Sequence, residues 1–189
     1  FESISFSDED KKRNISYQQN ARRIAAFESL GSLEDYLKSL DMVLKIKPFD
    51  TQGLTRIVQL INKTNQFNLT TRRYDQKTVT AMMDDSNCIT LQARLTDIYG
   101  DNGLIAVIIA KATGDELTID SWLMSCRVLK RQVEYCLMNE VIAIARQRGI
   151  LAINATYIPT AKNAIVQDLY SDLGFSRTDN PSSAEGIHW

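Results

Sequence analysis

The feature that most constrains this chain is the unbroken apolar run Leu104-Ile-Ala-Val-Ile-Ile-Ala110. It is far shorter than the ~20 residues a membrane-spanning helix needs, so the reading passes to a strand. Turn signals bound it on both sides, Gly100-Asp-Asn-Gly103 before and Gly114-Asp115 after, and branched side chains fill it. A strand without a polar face has to be covered on both faces. Such a strand sits inside a layered sheet.

The neighbouring segments supply those layers. Ile89, Leu91, Ala93 and Leu95 alternate with Thr90, Gln92, Arg94 and Thr96, as in a half-buried strand, and Leu117–Met124 forms the next strand, which predicts a three-strand antiparallel meander. Val133, Leu137, Val141, Ile144 and Ala145 then line one face of a helix ending at Gly149, and Leu151–Tyr157 returns as a strand. That helix, Arg131–Arg148, makes a crossover between parallel neighbours. Val166, Leu169, Tyr170 and Leu173 fall at helical spacing and predict one last helix stopped by Gly174. Upstream, Met42–Pro48 reads as a first strand, Leu54, Ile57, Val58 and Ile61 as one face of a helix, and Gln76–Met83 as a short helix.

Before Met42 the pattern differs. Ser7-Asp-Glu-Asp10 caps a helix running from about Asp8 to Ser29, and Ser32-Leu-Glu-Asp35 has the form of a capping box for a second one reaching Leu40. Their apolar positions, Ile15, Ala21, Ile24 and Phe27 in the first, are too sparse for a domain of their own. Residues 1–41 are therefore expected to be a helical arm that packs on a neighbour, residues 42–178 the principal domain, and residues 179–189 a tail. The first residue is Phe1, and the sequence reads as a piece of a longer protein.

Composition narrows the function classes. Lys and Arg are interleaved with Asp and Glu at a net charge of −1, which leaves no field for nucleic acid. Neither a spanning segment nor a leader pattern is visible, so membrane association is not expected and a cytoplasmic setting is. Cys88, Cys126 and Cys136 lack the spacing of a disulfide framework or a zinc site, and no metal is expected. The lone histidine, His188, lies one residue from the last, where a catalytic base would be poorly held.

The element order, together with two local patterns, resembles the GNAT family of N-acetyltransferases. Asn163-Ala-Ile-Val-Gln-Asp-Leu-Tyr170-Ser-Asp-Leu-Gly174-Phe175 is similar to the end of the GNAT core, and Ser125-Cys-Arg127-Val-Leu-Lys-Arg-Gln132 stands where that family has its pyrophosphate loop. The resemblance implies an α/β fold, a mixed central sheet flanked by helices with the helical arm attached. It also implies coenzyme A or carrier-bound phosphopantetheine as thiol partner, none tightly bound, held by the loop Val128, Leu129, Lys130, Arg131 and Gln132. Both glycines of the family's loop are replaced here, by Lys130 and Gln132, which hinders close approach of a phosphate.

Longer stretches resemble a narrower group. Gln59–Arg73, Asp120–Leu129 and Tyr157–Asn163 are similar, in order, to the C-terminal domain of FkbH-like proteins. Those join a phosphatase-like domain of the HAD type to an acyltransferase domain and load a glyceryl unit onto an acyl carrier protein. The resemblance implies an acyl carrier protein and an N-terminal HAD-type domain as partners. It places Asn65, Gln66, Asn68, Thr70, Arg72, Arg127 and Asn163 as substrate contacts, with Cys126 and Tyr170 as catalytic residues.

Each candidate also has a plainer reading. The polar loop from Asn65 to Arg72 could cap the preceding helix, Cys126 could be a small buried hydrophobe and Tyr170 a core residue. As chemistry, Cys126 beside Arg127 and a helix start suits a thiolate nucleophile, and a phenol near pKa ~10 suits protonation of a leaving thiolate. Cys88 and Cys136 are read as structural. Two other functions stay open at this point: a carrier-docking domain without chemistry of its own, and an acetyl-coenzyme A-dependent N-acetyltransferase of a small amine.

Overall fold

The computed structural model describes residues 8–178 and 186–189. The described residues fall into two units, one of residues up to Leu44 with Leu95–Gly103, the other of Lys45–Arg94 with residues from Leu104 on.

In the first unit α1 (Asp8–Ser29) and α2 (Leu33–Ser39) have the predicted bounds. Ser32 caps α2 by accepting the Asp35 N–H, and the rings of Phe27 and Tyr36 meet edge-on at 5.1 Å. The arm carries a polar anchor that the sequence reading missed. Arg23 donates both Nε and Nη2 to the Asp97 carboxylate, at 2.8 and 2.7 Å, and the Asp97 side chain is fully buried. Asn102 Nδ2 and the Tyr99 N–H also donate to that carboxylate, so every lone pair has company. Ile98 N–H bonds the Leu40 carbonyl. Gly100 takes a φ of +133°, where other side chains are strained, so glycine is favoured there.

The second unit contains α3 (Leu54–Lys63), α4 (Gln76–Asp84), α5 (Val133–Gln147) and α6 (Leu169–Asp172). The strands are β1 (Val43–Pro48), β2 (Cys88–Asp97), β3 (Gly100–Thr113), β4 (Glu116–Met124), β5 (Ala152–Tyr157) and β6 (Ile187–His188), and they form one sheet in chain order. Leu54, Ile57, Leu60 and Ile61 of α3 close over Val107, Ile109 and Leu123 with Phe49 and Val79, which is the cover the apolar run demanded. Ile105–Ala110 are all buried. The crossover is as expected: β4 and β5 pair in parallel, with α5 between them in sequence. Among the described residues no helix is long and apolar enough to cross a membrane.

Three expectations are corrected. Gly100–Gly103 is not the turn: Asp97 Oδ1 takes the Tyr99 N–H and bends the chain two residues earlier, so β3 already begins at Gly100. The final helix is broken into a single 3-10 turn, Ala164–Val166, and the short α6, because the Asn163 side chain is spent on loop backbone instead of capping a helix. The chain end is held as well. His188 pairs with Thr156 on β5, and its Nδ1 lies 3.2 Å from Thr156 Oγ1.

Candidate functional site

The site grows from the place where two parallel strands part. β4 and β5 are paired only from Glu116 to Ile119 against Ala152 to Ala155, although β4 runs on to Met124 and β5 to Tyr157. Beyond that point each strand would have unpaired backbone groups, and such groups need partners when buried. The chain supplies them from the loop after α3. The Leu69 N–H bonds the Trp122 carbonyl at 3.1 Å, the Met124 N–H bonds the Phe67 carbonyl at 3.0 Å, and the Ile158 N–H bonds the Leu69 carbonyl at 2.8 Å. Phe67–Leu69 thus lies as a short surrogate strand in the gap, with Asn68 bridged to Leu123.

This insertion explains several of the sequence candidates. Asn68 is fully buried; its Nδ2 donates to Thr64 O and its Oδ1 accepts the Thr71 N–H. Thr70 donates to the Asp120 carbonyl. Asn163, also fully buried, donates to Asn68 O and Ile158 O and accepts the Thr160 N–H at 2.7 Å. These three side chains hold the inserted segment. Asn65 accepts from Arg73 at 2.5 Å, and Gln66 is exposed.

On one side of the sheet lies a pocket of about 300 Å³ whose walls include Thr78, Met82, Asp85, Cys88, Lys111 and Asp120. Asp120 reaches it through a bulge. Ile109 pairs with Ser121 and Ala110 with Ile119, so Asp120 is the extra residue, an irregularity that re-aims a side chain. Its carboxylate takes the Arg72 guanidinium and the Tyr74 and Ser121 hydroxyls. Burial weighs against the charge on Arg72, but Asp120 and Tyr74 together outweigh it and raise the guanidinium. Asp120 and Tyr74 are the residues that sequence reasoning did not single out; Asp120 opens one of the motifs it quoted and Tyr74 directly follows another, and a bulge leaves no mark in the spacing. Burial, followed by the nearby Asp85, pushes the Cys88 thiol up.

On the other side a pocket of about 370 Å³ opens at the start of α5. Phe67, Met124, Leu129, Val166 and Leu169 form its apolar wall, and Lys130, Glu134, Asp168 and Asp172 supply its charge. Burial pushes the Glu134 carboxyl up, and Asp172 adds to the effect. The loop leading into α5 is tight. The Val128, Leu129 and Arg131 N–H groups bond the carbonyls of Ser125, Cys126 and Val128, and Arg131 folds its guanidinium back onto the Arg127 carbonyl. Lys130 and Gln132 both sit in the left-handed region, at φ 64° and 59°. The backbone therefore keeps a shape that glycine favours at the two positions where the sequence has lost glycine. Gln132 is the N-cap residue of α5 and makes no side-chain cap bond.

The catalytic candidates separate. Cys126 and Arg127 are exposed at the start of the loop, outside the walls of either pocket, and Val128 is fully buried. Tyr170 is buried among Trp122 and Phe175, with ring distances of 6.2 and 5.2 Å. Its hydroxyl has no hydrogen-bond partner, and neither has Trp122 Nε1. Burial drives the phenol far above its ordinary value, so it keeps its proton at any physiological pH.

No protein-family model and no curated protein matches the sequence. Solved structures do resemble it. The GNAT domain of S. lividans PAT superposes with a TM-score of 0.60 at 19% identity, over 77% of this chain and 88% of that one. The ribosomal-protein-S18-alanine N-acetyltransferase from Escherichia coli gives 0.56 at 18% identity over 77% and 89%. The PaiA N-acetyltransferase from Thermoplasma acidophilum, crystallised in complex with coenzyme A, gives 0.56 at 13% identity over 77% and 96%. At such identities the likeness establishes the fold, a GNAT-type mixed sheet flanked by helices.

Proposed function

We propose that this domain moves a short acyl group of the glyceryl type onto the phosphopantetheine thiol of an acyl carrier protein, as the acyltransferase half of an FkbH-like protein with a HAD-type domain. The ordered motifs and the GNAT-type fold support acyl transfer. The observation that carries the choice of thiol partner is the charge of the pocket at α5. Glu134, Asp168 and Asp172 face Lys130 there, and the N–H groups of Val128, Leu129 and Arg131 are already bonded. A nucleotide diphosphate such as that of free coenzyme A meets repulsion and too few donors, so these residues do not fit it; a carrier arm brings one phosphate only.

In this reading the exposed Cys126, beside Arg127, attacks the acyl-phosphate carbonyl of the donor and forms a thioester, the C–O bond to phosphate breaks, and the departing phosphate takes up the thiol proton. The carrier thiol then attacks that thioester, and Cys126 Sγ leaves and takes up the proton the carrier thiol has lost. Tyr170 keeps its proton and serves as a donor. Asn65, Gln66, Arg72 and Arg127 are left as contacts for the acyl hydroxyls or the arm's phosphate. A reducing, cytoplasmic setting suits a thiol mechanism.

The same acidic wall favours a second reading, acetyl transfer to a small amine, because carboxylates attract an ammonium group. Two measurements separate them. Loaded or holo carrier protein is expected to raise the melting temperature and acetyl-coenzyme A to leave it unchanged; stabilisation by acetyl-coenzyme A would promote the amine. In the full-length parent, intact-mass spectra after incubation with the donor are expected to show an acyl adduct that Cys126→Ala abolishes and Cys88→Ala and Cys136→Ala retain. An adduct persisting on Cys126→Ala would return Cys126 to a structural role, and transfer to the carrier with no adduct in the wild type would leave direct transfer as the mechanism.

A further inference from the structure

Buried hydrogen-bonding groups in folded proteins nearly always have partners, and each one left without costs about 1–3 kcal/mol. Among the described residues two such groups share one corner of the second unit: the Trp122 indole N–H on β4 and the Tyr170 hydroxyl on α6. Both side chains are closed to solvent, at 0% and 1% exposure, and their rings are 6.2 Å apart. The corner adjoins the pocket at α5. Phe67 lines that pocket and packs 6.5 Å from Trp122, while Met124 and Leu169, also in its wall, are near neighbours of the two residues in sequence.

The chemistry of the pair selects a ligand. An indole N–H can only donate, and a phenol that holds its proton can donate as well, so an acceptor atom is what both groups can bind at once. We propose that Trp122 Nε1 and Tyr170 Oη together bind the carbonyl oxygen of the acyl thioester; this rests on the acyl-transfer reading above. The acyl group lies along the apolar wall, whose Phe67 borders the corner. Two fixed donors on that oxygen gain strength as it takes on negative charge during thiol attack. Trp122 is thereby a substrate-binding residue.

The chain has two tryptophans, so a ¹⁵N spectrum carries two indole signals, and Trp189→Phe identifies the one from Trp122. The probes are S-acetylpantetheine and pantetheine, which differ by the acyl group alone. S-acetylpantetheine is expected to move the Trp122 indole proton downfield and pantetheine to leave it in place. Tyr170→Phe, which keeps the ring packing, is expected to weaken S-acetylpantetheine relative to pantetheine about tenfold, and Trp122→Phe, which also opens space in the core, is expected to do so as well. Thioester binding seen at other resonances with the Trp122 signal unmoved overturns the assignment. So does equal weakening of both probes, or an indole-to-water contact that persists in the bound state. If the acyl-enzyme forms in the parent while the indole does not respond, the donor pair alone falls. If neither happens and no acyl group reaches the carrier thiol, the acyl-transfer reading falls with it.

Discussion

Two buried polar clusters in this protein are opposites. Asp97 in the first unit receives donors from Arg23, Asn102 and the Tyr99 backbone. The Trp122–Tyr170 corner in the second unit receives nothing. A carboxylate so fully paired is engaged in holding α1 to the β2–β3 turn, and its removal hurts the fold. The Trp122 N–H and the Tyr170 hydroxyl give the fold no hydrogen bond, and removing the hydroxyl, which leaves the ring in place, should help it. On the proposal above, completeness of pairing separates structural polarity from polarity kept for a ligand.

The largest effect expected from this contrast is at Asp97. Asp97→Asn leaves the Arg23 guanidinium buried without its counter-charge, which costs about 3–5 kcal/mol. Urea unfolding measures it, and a loss under about 1 kcal/mol would break the comparison, since that is the worth of a surface pair. Acid gives an independent reading. Burial alone would raise the Asp97 carboxyl, but Arg23 and Asn102 outweigh it and hold it below the ordinary 3.8. A lowered carboxyl stabilises the fold above its unfolded value, and the contribution is lost as pH falls through the folded one. The wild-type chain should lose stability below about pH 4, and Asp97→Asn should show a flatter acid limb.

What the sequence revealed divides along similar lines. Periodicity found α3 and α5 and the apolar strand because a helix face or a strand with no polar side repeats locally, and capping residues found α1. Val166, Leu169 and Tyr170 are all buried as their spacing predicted, yet the helix meant to carry them is broken. Burial is set by spacing, whereas the backbone here is set by Asn163 reaching Asn68, 95 residues away in sequence. The inserted segment Phe67–Leu69, the bulge at Asp120 and the Arg23–Asp97 pair are likewise contacts between distant residues. The polar loop from Asn65 to Arg72 was legible as a cluster in need of partners. That Asn68 and Thr70 spend themselves on the gap between β4 and β5 was not, because nothing local records that those strands part.

Tyr170→Phe sharpens the contrast at intermediate size. It removes a buried hydroxyl with no partner and keeps the ring against Trp122 and Phe175, so the melting curve should move up, by about 1 kcal/mol of stability. The same substitution is the one expected to weaken the acyl probe, a gain in stability set against a loss in binding. A destabilised Tyr170→Phe protein would mean that the hydroxyl has a partner after all, such as an enclosed water, and would move this corner into the class of Asp97.

The smallest effect concerns the backbone next to the same pocket. Asp41, in the first unit, takes a positive φ of 44° with a short polar side chain that tolerates it. Lys130 and Gln132 take 64° and 59° with long side chains that gain nothing from it. An L-residue in this region costs about 1–2 kcal/mol, and glycine recovers that while losing about 0.5–1 kcal/mol through a freer unfolded chain. Lys130→Gly and Gln132→Gly are each expected to stabilise the fold by less than about 1 kcal/mol, readable as a small rise in melting temperature. Binding of free coenzyme A gives the second readout. Removing the Gln132 side chain should strengthen it if close backbone approach is the obstacle, and Lys130→Gly should gain less because it also removes the ammonium facing Glu134, Asp168 and Asp172. If both variants are more stable and neither binds coenzyme A better, the acidic wall is the barrier, and Glu134→Gln becomes the substitution that should admit it.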